Sequence, residues 1–199
     1  MKVSLLIATY NWPEALSLVL ESVQNQSVLP NEIIIADDGS KDETRQLIEN
    51  FKRKTTIELH HIWQEDKGFR LAEIRNKAIA KAQYDYIIQI DGDIILHKDY
   101  IKDHLHFAKK NTSITGPRVL LSKKATQLAL TNKIATFSPF TKNIKNRFNA
   151  LHVPFINHFL KPKTAPIEKL IFKVRGCNMS FWREDLLEVN GYEENFKTW

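Results

Sequence analysis

Apolar and polar residues along the first half of the chain follow two alternating periods. "KVSLLIAT" (2–9) is a continuous apolar run of strand length. Beyond the "YNWP" break, Leu16, Val19, Leu20 and Val23 recur at helical spacing. Asn11 is expected to cap that helix and Pro13 to sit in its first turn, where the donor that proline lacks would be unpaired anyway. "EIIIADDGS" (32–40) repeats the strand, and Thr44, Leu47, Ile48 and Phe51 repeat the helix. "TIELHHI" (56–62) alternates as an edge or half-exposed strand does. Leu71, Ile74, Ala78 and Ala82 predict a third helix, and "DYIIQID" (85–91) a fourth strand. Strands buried on both faces, with helices between them, specify a parallel α/β sheet.

In such sheets ligands lie in the crevice beyond the carboxyl ends of the strands. Three polar clusters fall there: "TYN" after the first strand, "DDGS" after the second and "DGD" after the fourth. Taken singly, "DDGS" is good turn chemistry before a helix, and "DGD" is an Asp-Gly turn that would suit a hairpin between "IIQI" and "IILH". Taken together they predict one convergent rim. Carboxylates are costly to bury without a cation. In an extended segment Asp91 and Asp93 lie on one face and can address a single ion, while Gly92 lets a ligand approach the backbone. Oxygen-only ligation suits Mg²⁺ or Mn²⁺, which take their remaining ligands from water and phosphate, so the expected substrate carries a diphosphate.

Composition narrows the class. The 199 residues are 43% hydrophobic and 26% charged, enough for one substantial core. No window approaches the roughly 20 apolar residues of a membrane span, and the start does not resemble a signal peptide, so the expected location is cytoplasmic. The single cysteine, Cys177, excludes an internal disulfide and supports no zinc cluster. The net charge of +6 is regional. From Arg118 to Arg175 twelve Lys and Arg face one acid, Glu168, for a net +11, while the remaining residues carry 17 basic against 22 acidic side chains. That block also holds four of the seven prolines, with Pro117 at its edge, and reads as an excursion from the regular pattern.

"LLIATYNWPEAL", "IIIADDGSKDET", "DKGFRLAEIRNKAI", "IIQIDGDIILHKDYI" and "VRGCNMSFWREDLLEVNGYEENF" together resemble the inverting family-two nucleotide-sugar glycosyltransferases of GT-A fold, with its Rossmann-like sheet flanked by helices. The stretch from Lys67 to Asn76 is particularly similar to the chondroitin-polymerase-like branch, which uses UDP-sugars. The resemblance covers roughly 1–117 and 173–199 and is weak between them. It implies a single domain: a nucleotide-sugar half over 1–117, a basic variable excursion over 118–172, and the incomplete start of an acceptor half over 173–199. It implies that Thr9, Tyr10, Asn11 and Gly92 border the nucleotide, that Asp38 accepts from the uracil imide, and that Arg75 approaches the diphosphate. Asp91 and Asp93 would form the Asp-Gly-Asp metal motif for Mn²⁺ or Mg²⁺. Gly176, Cys177, Asn178 and Trp199 would border the sugar and acceptor; an ordinary strand-to-helix turn is the other reading of 176–178. Asp37 is expected to be structural, and His60, His61 and His97 to be surface or packing residues.

The implied reaction is a single displacement from a nucleotide-sugar donor to a glycan or lipid-linked acceptor in cell-surface polysaccharide synthesis. By the same resemblance the chain is C-terminally truncated, with the catalytic base expected beyond Trp199 rather than at Glu193 or Glu194. Three rival classes stand beside it. A nucleotidyltransferase would carry a Gly-rich basic loop where this chain has "TYNWPEAL"; a nucleic-acid binder would carry a recognised module in the basic block; a catalytically inactive sugar-nucleotide-binding or scaffolding module would show no transfer. Ile144, Phe148, Leu151, Phe155 and Phe159 also fall at helical steps among basic residues. That spacing raises an interfacial helix over 142–161, interrupted at Pro154, as a peripheral contact with the inner face of the membrane, against a face that simply covers the core.

Overall fold

The computed structural model describes residues 1–151 and 174–196. Four strands alternate with three helices as the sequence predicts: β1 (Val3–Thr9), α1 (Pro13–Gln24), β2 (Glu32–Asp37), α2 (Asp42–Lys52), β3 (Glu58–Trp63), α3 (Leu71–Lys81) and β4 (Tyr86–Asp91). There follow α4 (Tyr100–Phe107), β5 (Ile114–Thr115), β6 (Leu120–Leu121), α5 (Lys123–Asn132), β7 (Ile144–Lys145), a single 3-10 turn (Arg147–Ala150), β8 (Asn178–Trp182) and α6 (Arg183–Glu188).

The six-stranded sheet runs β3-β2-β1-β4-β8-β5. β3, β2, β1 and β4 are mutually parallel, while β8 lies antiparallel between β4 and β5. β3 is an edge strand, as its alternation indicated. β1, β2 and most of β4 are buried on both faces because helices cover each side. Leu16, Val19 and Leu20 of α1 and Ile48 of α2 pack with Leu5, Ile7, Ile33 and Ile35 on one face. Ile74, Ala78 and Ile79 of α3 pack with Leu6, Ala8, Ile34 and Ile87 on the other.

One sequence expectation is corrected, and two alternative readings are set aside. Asn11 does not cap α1: the residue before the helix is Trp12, with no side-chain cap, and Pro13 opens the first turn. Asn11 instead adopts a left-handed φ of 45°, a conformation asparagine tolerates, and bonds across to the next loop. "IIQIDGDIILH" forms no hairpin, because β4 already has β1 on one side and β8 on the other. No helix begins at Ile144: that residue is buried in β7 opposite Leu121, with Asn143 and Asn146 in left-handed conformations on either side. Phe148 sits exposed in the 3-10 turn; Phe155, Phe159 and Pro154 lie outside the described residues. Among the described residues no helix is long and apolar enough to cross a membrane.

Candidate functional site

Strand register brings the three polar clusters to one rim. Thr9 lies opposite Asp37, and Ala8 opposite Asp91, so β1, β2 and β4 end side by side at the switch point where strand order reverses. The turn after β2 is built around its two aspartates. Asp37 is 1% exposed; one oxygen accepts from the Ser40 N–H at 2.8 Å and the other faces His61 Nε2 at 2.9 Å. Asp38 accepts from Gln64 Nε2 at 2.6 Å and from the Arg70 N–H at 2.9 Å, which pulls the loop before α3 over the strand ends. Gly39 is required there: its φ is +97°, and a Cβ would stand 2.6 Å from the Asp66 α-carbon. Asn11 completes the seam, donating its N–H to Ser40 Oγ and accepting from the Lys41 N–H, both at 2.9 Å. Tyr10 is half-exposed at the mouth, and its hydroxyl donates to Asp66, whose carboxyl this bond holds below its ordinary pKa.

The end of β4 holds the charges. The Gly92 N–H donates to the Ala8 carbonyl, and its α-carbon faces Thr9, where a Cβ would come within 3.0 Å of Thr9 Oγ1. Glycine at 92 therefore lets β4 turn tightly against β1, and it leaves Asp93 exposed beyond the turn. Asp91 is partly buried, and Arg75 Nη2 donates to its Oδ1 at 2.7 Å. Burial pushes the Asp91 carboxyl above its ordinary pKa; Arg75 pulls it down, Asp93 pushes it up and Arg118 pulls it down again. Arg75 is itself 7% exposed. The Tyr192 ring lies 5.8 Å from its guanidinium, and a Cβ at Gly176 would stand 3.0 Å from Nη1, so glycine at 176 admits the arginine. Gln89 ties the cage together, donating to the Gly176 carbonyl and accepting from the Tyr192 hydroxyl.

Cys177 and Asn178 also serve neighbours. Arg118 Nη1 donates to Cys177 Sγ at 3.0 Å. Asn178 Oδ1 accepts from the Tyr100 hydroxyl at 2.9 Å, and its Nδ2 donates to the Pro117 carbonyl. The same Oδ1 faces His104 Nε2 at 3.2 Å, while His104 Nδ1 lies 2.7 Å from Ser180 Oγ, which in turn meets the Tyr86 hydroxyl. Burial drives the His104 pKa down to about 4, so this imidazole is neutral near pH 7. The network carried no sequence signal, because its bonded partners are separated by 74 to 94 residues.

Cavities of about 430 and 480 Å³ are both lined by Asp93 and Arg118; the second also takes in Asp91 and Trp12. Among the described residues no group of three or more His, Cys, Asp or Glu is placed so that it could hold a metal ion. Asp91 and Asp93 place two carboxylates at this rim, a number and type that would suit Mg²⁺ or Mn²⁺ completing their shells with phosphate oxygens and water. His60 and His61, expected as surface or packing residues, each face carboxylates. His60 faces Glu32 and Glu58, and His61 faces Asp37, each from the strand edge. Glu194 bonds Asn76, and Glu193 bonds Asn195, so both carboxylates are engaged locally; Trp199 lies outside the described residues.

Residues 4–171 match the domain described as Glycosyl transferase family 2. The chain is 24% identical over 208 residues to a chondroitin synthase of Escherichia coli, covering 98% of this chain and 30% of that protein. It is 36% identical over 205 residues to the O-antigen chain rhamnosyltransferase RfbN of Salmonella typhimurium, covering 98% of this chain and 57% of that protein. Among solved structures, the mannosyltransferase PcManGT of Pyrobaculum calidifontis, in complex with GDP-Man and Mn²⁺, superposes with a TM-score of 0.62 at 16% identity. That match covers 98% of this chain and 48% of the other, and it shows the GT-A fold.

Proposed function

This chain belongs to glycosyl transferase family 2, and on that premise we propose that its rim binds a nucleoside diphosphate sugar, a UDP-sugar first, and passes the sugar to a glycan or lipid-linked acceptor. The observation that carries the reading is the register that sets Thr9, the Asp37–Asp38 turn and Asp91 at adjacent strand ends, beside an exposed Asp93. The resemblance of Lys67–Asn76 to a branch that uses UDP-sugars favours uridine as the base, and the GDP-Man and Mn²⁺ bound by the mannosyltransferase favour a divalent cation.

In this reading Thr9, Tyr10 and Asn11 border the nucleoside, and Asp38, held by Gln64 and the Arg70 N–H, keeps lone pairs for an imide donor. Asp91 and Asp93 would hold Mn²⁺ or Mg²⁺, which when bound neutralises charge on the leaving diphosphate. Arg75 fixes Asp91 in one orientation and favours its ionised form, the form that can ligate a cation. Gly176 and Tyr192 hold Arg75 in turn. An acceptor hydroxyl gives its proton to a general base as it attacks the anomeric carbon, the bond from that carbon to the diphosphate oxygen breaks, and its electron pair leaves with the diphosphate. No covalent sugar on the protein is needed.

The test is transfer of labelled sugar from UDP-glucose, UDP-GlcNAc, UDP-GalNAc and UDP-glucuronate to a panel of polysaccharide and lipid-linked acceptors. Metal-dependent labelling of one acceptor is expected. Donor binding without transfer to any of them would favour a sugar-nucleotide-binding module, and binding of no donor would overturn the reading.

A further inference from the structure

The two arginines nearest the Asp-Gly-Asp turn are held very differently. Arg75 is 7% exposed, its Nη2 is committed to Asp91, and Gly176 and Tyr192 close around it. Such a fork is a fixed part of the wall. Arg118 is half-buried, and its one hydrogen bond from the side chain among the described residues goes to a sulfur, Cys177 Sγ. No carboxylate pairs with it within salt-bridge distance among the described residues. A guanidinium has five N–H donors, so most of the Arg118 fork remains for an anion. It lines the cavity that contains Asp91, Asp93 and Trp12, and it borders the neighbouring one as well.

The backbone that presents Arg118 is anchored rather than loose. Gly116 donates its N–H to the Asn178 carbonyl at 3.0 Å, Pro117 accepts from Asn178 Nδ2 at 2.9 Å, and the Arg118 carbonyl accepts from Asn149 Nδ2 at 3.0 Å. Asn178 is locked in turn by Tyr100 and the buried His104. Three consecutive residues are thus fixed to β8 and to the 3-10 turn, and the guanidinium enters the site from a rigid mount. Rigid presentation is what an anion clamp requires, because less freedom is lost when the ligand binds.

We propose that Arg118 is a phosphate-binding residue of the donor site, offering its open fork to the diphosphate while Arg75 serves to orient Asp91. The proposal rests on the donor-site reading above. It assigns phosphate contact to a residue that the sequence marks only as the first charge of the basic block, and it gives Cys177 and Asn178 a role in positioning that residue.

Affinities of UDP and of uridine, measured with Mn²⁺ by calorimetry and competition NMR, separate the possibilities on wild type, Arg118→Lys and Arg118→Gln. Loss of a charge-assisted bidentate contact should weaken UDP binding of Arg118→Gln by about tenfold or more and leave uridine within about twofold. Arg118→Lys should fall between, since it keeps the charge and loses the fork. Melting curves of the three proteins report folding, and Arg118→Lys keeps the question open to measurement if Arg118→Gln unfolds. Unchanged UDP affinity, or equal losses for UDP and uridine, would overturn the assignment. Wild-type protein that binds neither UDP nor uridine would instead refute the donor-site reading, and this proposal with it.

Discussion

Replacing His104 by glutamine should make the protein less sensitive to acid. The imidazole is 6% exposed, and its pKa falls to about 4 because burial disfavours the charged ring. In the unfolded chain it titrates near the ordinary value of 6.5. As pH falls below 6.5 the unfolded state takes up a proton that the folded state refuses until about pH 4, so folding loses stability across that window and gains it back as pH rises. At about 1.4 kcal/mol per pH unit, His104 alone should cost about 2 kcal/mol between pH 7 and pH 5. Tyr86 and Tyr100, the other titratable groups of the network, have pKa values raised by burial and stay neutral throughout. His104→Gln should itself lose about 1–3 kcal/mol at pH 7, since Ser180 and Asn178 lose a partner, but its further loss at pH 5 should be smaller than that of wild type by about 2 kcal/mol. Urea denaturation followed by tryptophan fluorescence at the two pH values gives all four stabilities, and carboxylates elsewhere cancel in the comparison. Equal losses in wild type and variant would refute the reasoning.

Gly39→Ala should destabilise by roughly 2–4 kcal/mol, because a Cβ meets both an unfavourable positive φ and the Asp66 backbone; an unchanged urea midpoint would contradict that crowding. Asn76 holds the Tyr192 backbone at both ends of its side-chain amide, Nδ2 donating to the carbonyl and Oδ1 accepting from the N–H, so Asn76→Ala should cost about 1–3 kcal/mol and speed hydrogen exchange at the Tyr192 N–H. Unchanged exchange at that N–H would show that other contacts hold the segment under Arg75.

The parallel half of the sheet was legible because β1, β2 and β4 are short apolar runs between helical periods and β3 alternates as an edge strand does. Its register was legible in effect as well: polar residues at the ends of three such runs had to meet on one rim. β8 was not legible. "NMSFW" mixes polar and apolar residues because Asn178 and Ser180 face the Tyr86–His104 network, and its antiparallel insertion beside β4 is a pairing across almost a hundred positions. Helical spacing from Ile144 misled for a local reason, since Asn143 and Asn146 turn the chain through left-handed conformations and spacing alone does not register φ. Glu32 and Asp37, which face His60 and His61, sit on the neighbouring strand, which only the register reveals. Arg118 showed the limit of counting charge: it was one of twelve basic residues in its block, and only folding separates it from the rest.

The central claim is that Asp91 and Asp93 make nucleotide binding depend on a divalent cation. Calorimetric titration of UDP into wild-type protein and Asp93→Ala, each with Mn²⁺ and with EDTA, tests it most directly. Asp93 is exposed beyond the Gly92 turn, so its loss should leave the fold intact while removing one of the two proposed cation ligands. Tight binding is expected only for wild type with Mn²⁺, with affinity lower by about tenfold or more in the other three titrations. Undiminished UDP affinity in EDTA and in Asp93→Ala would contradict the account.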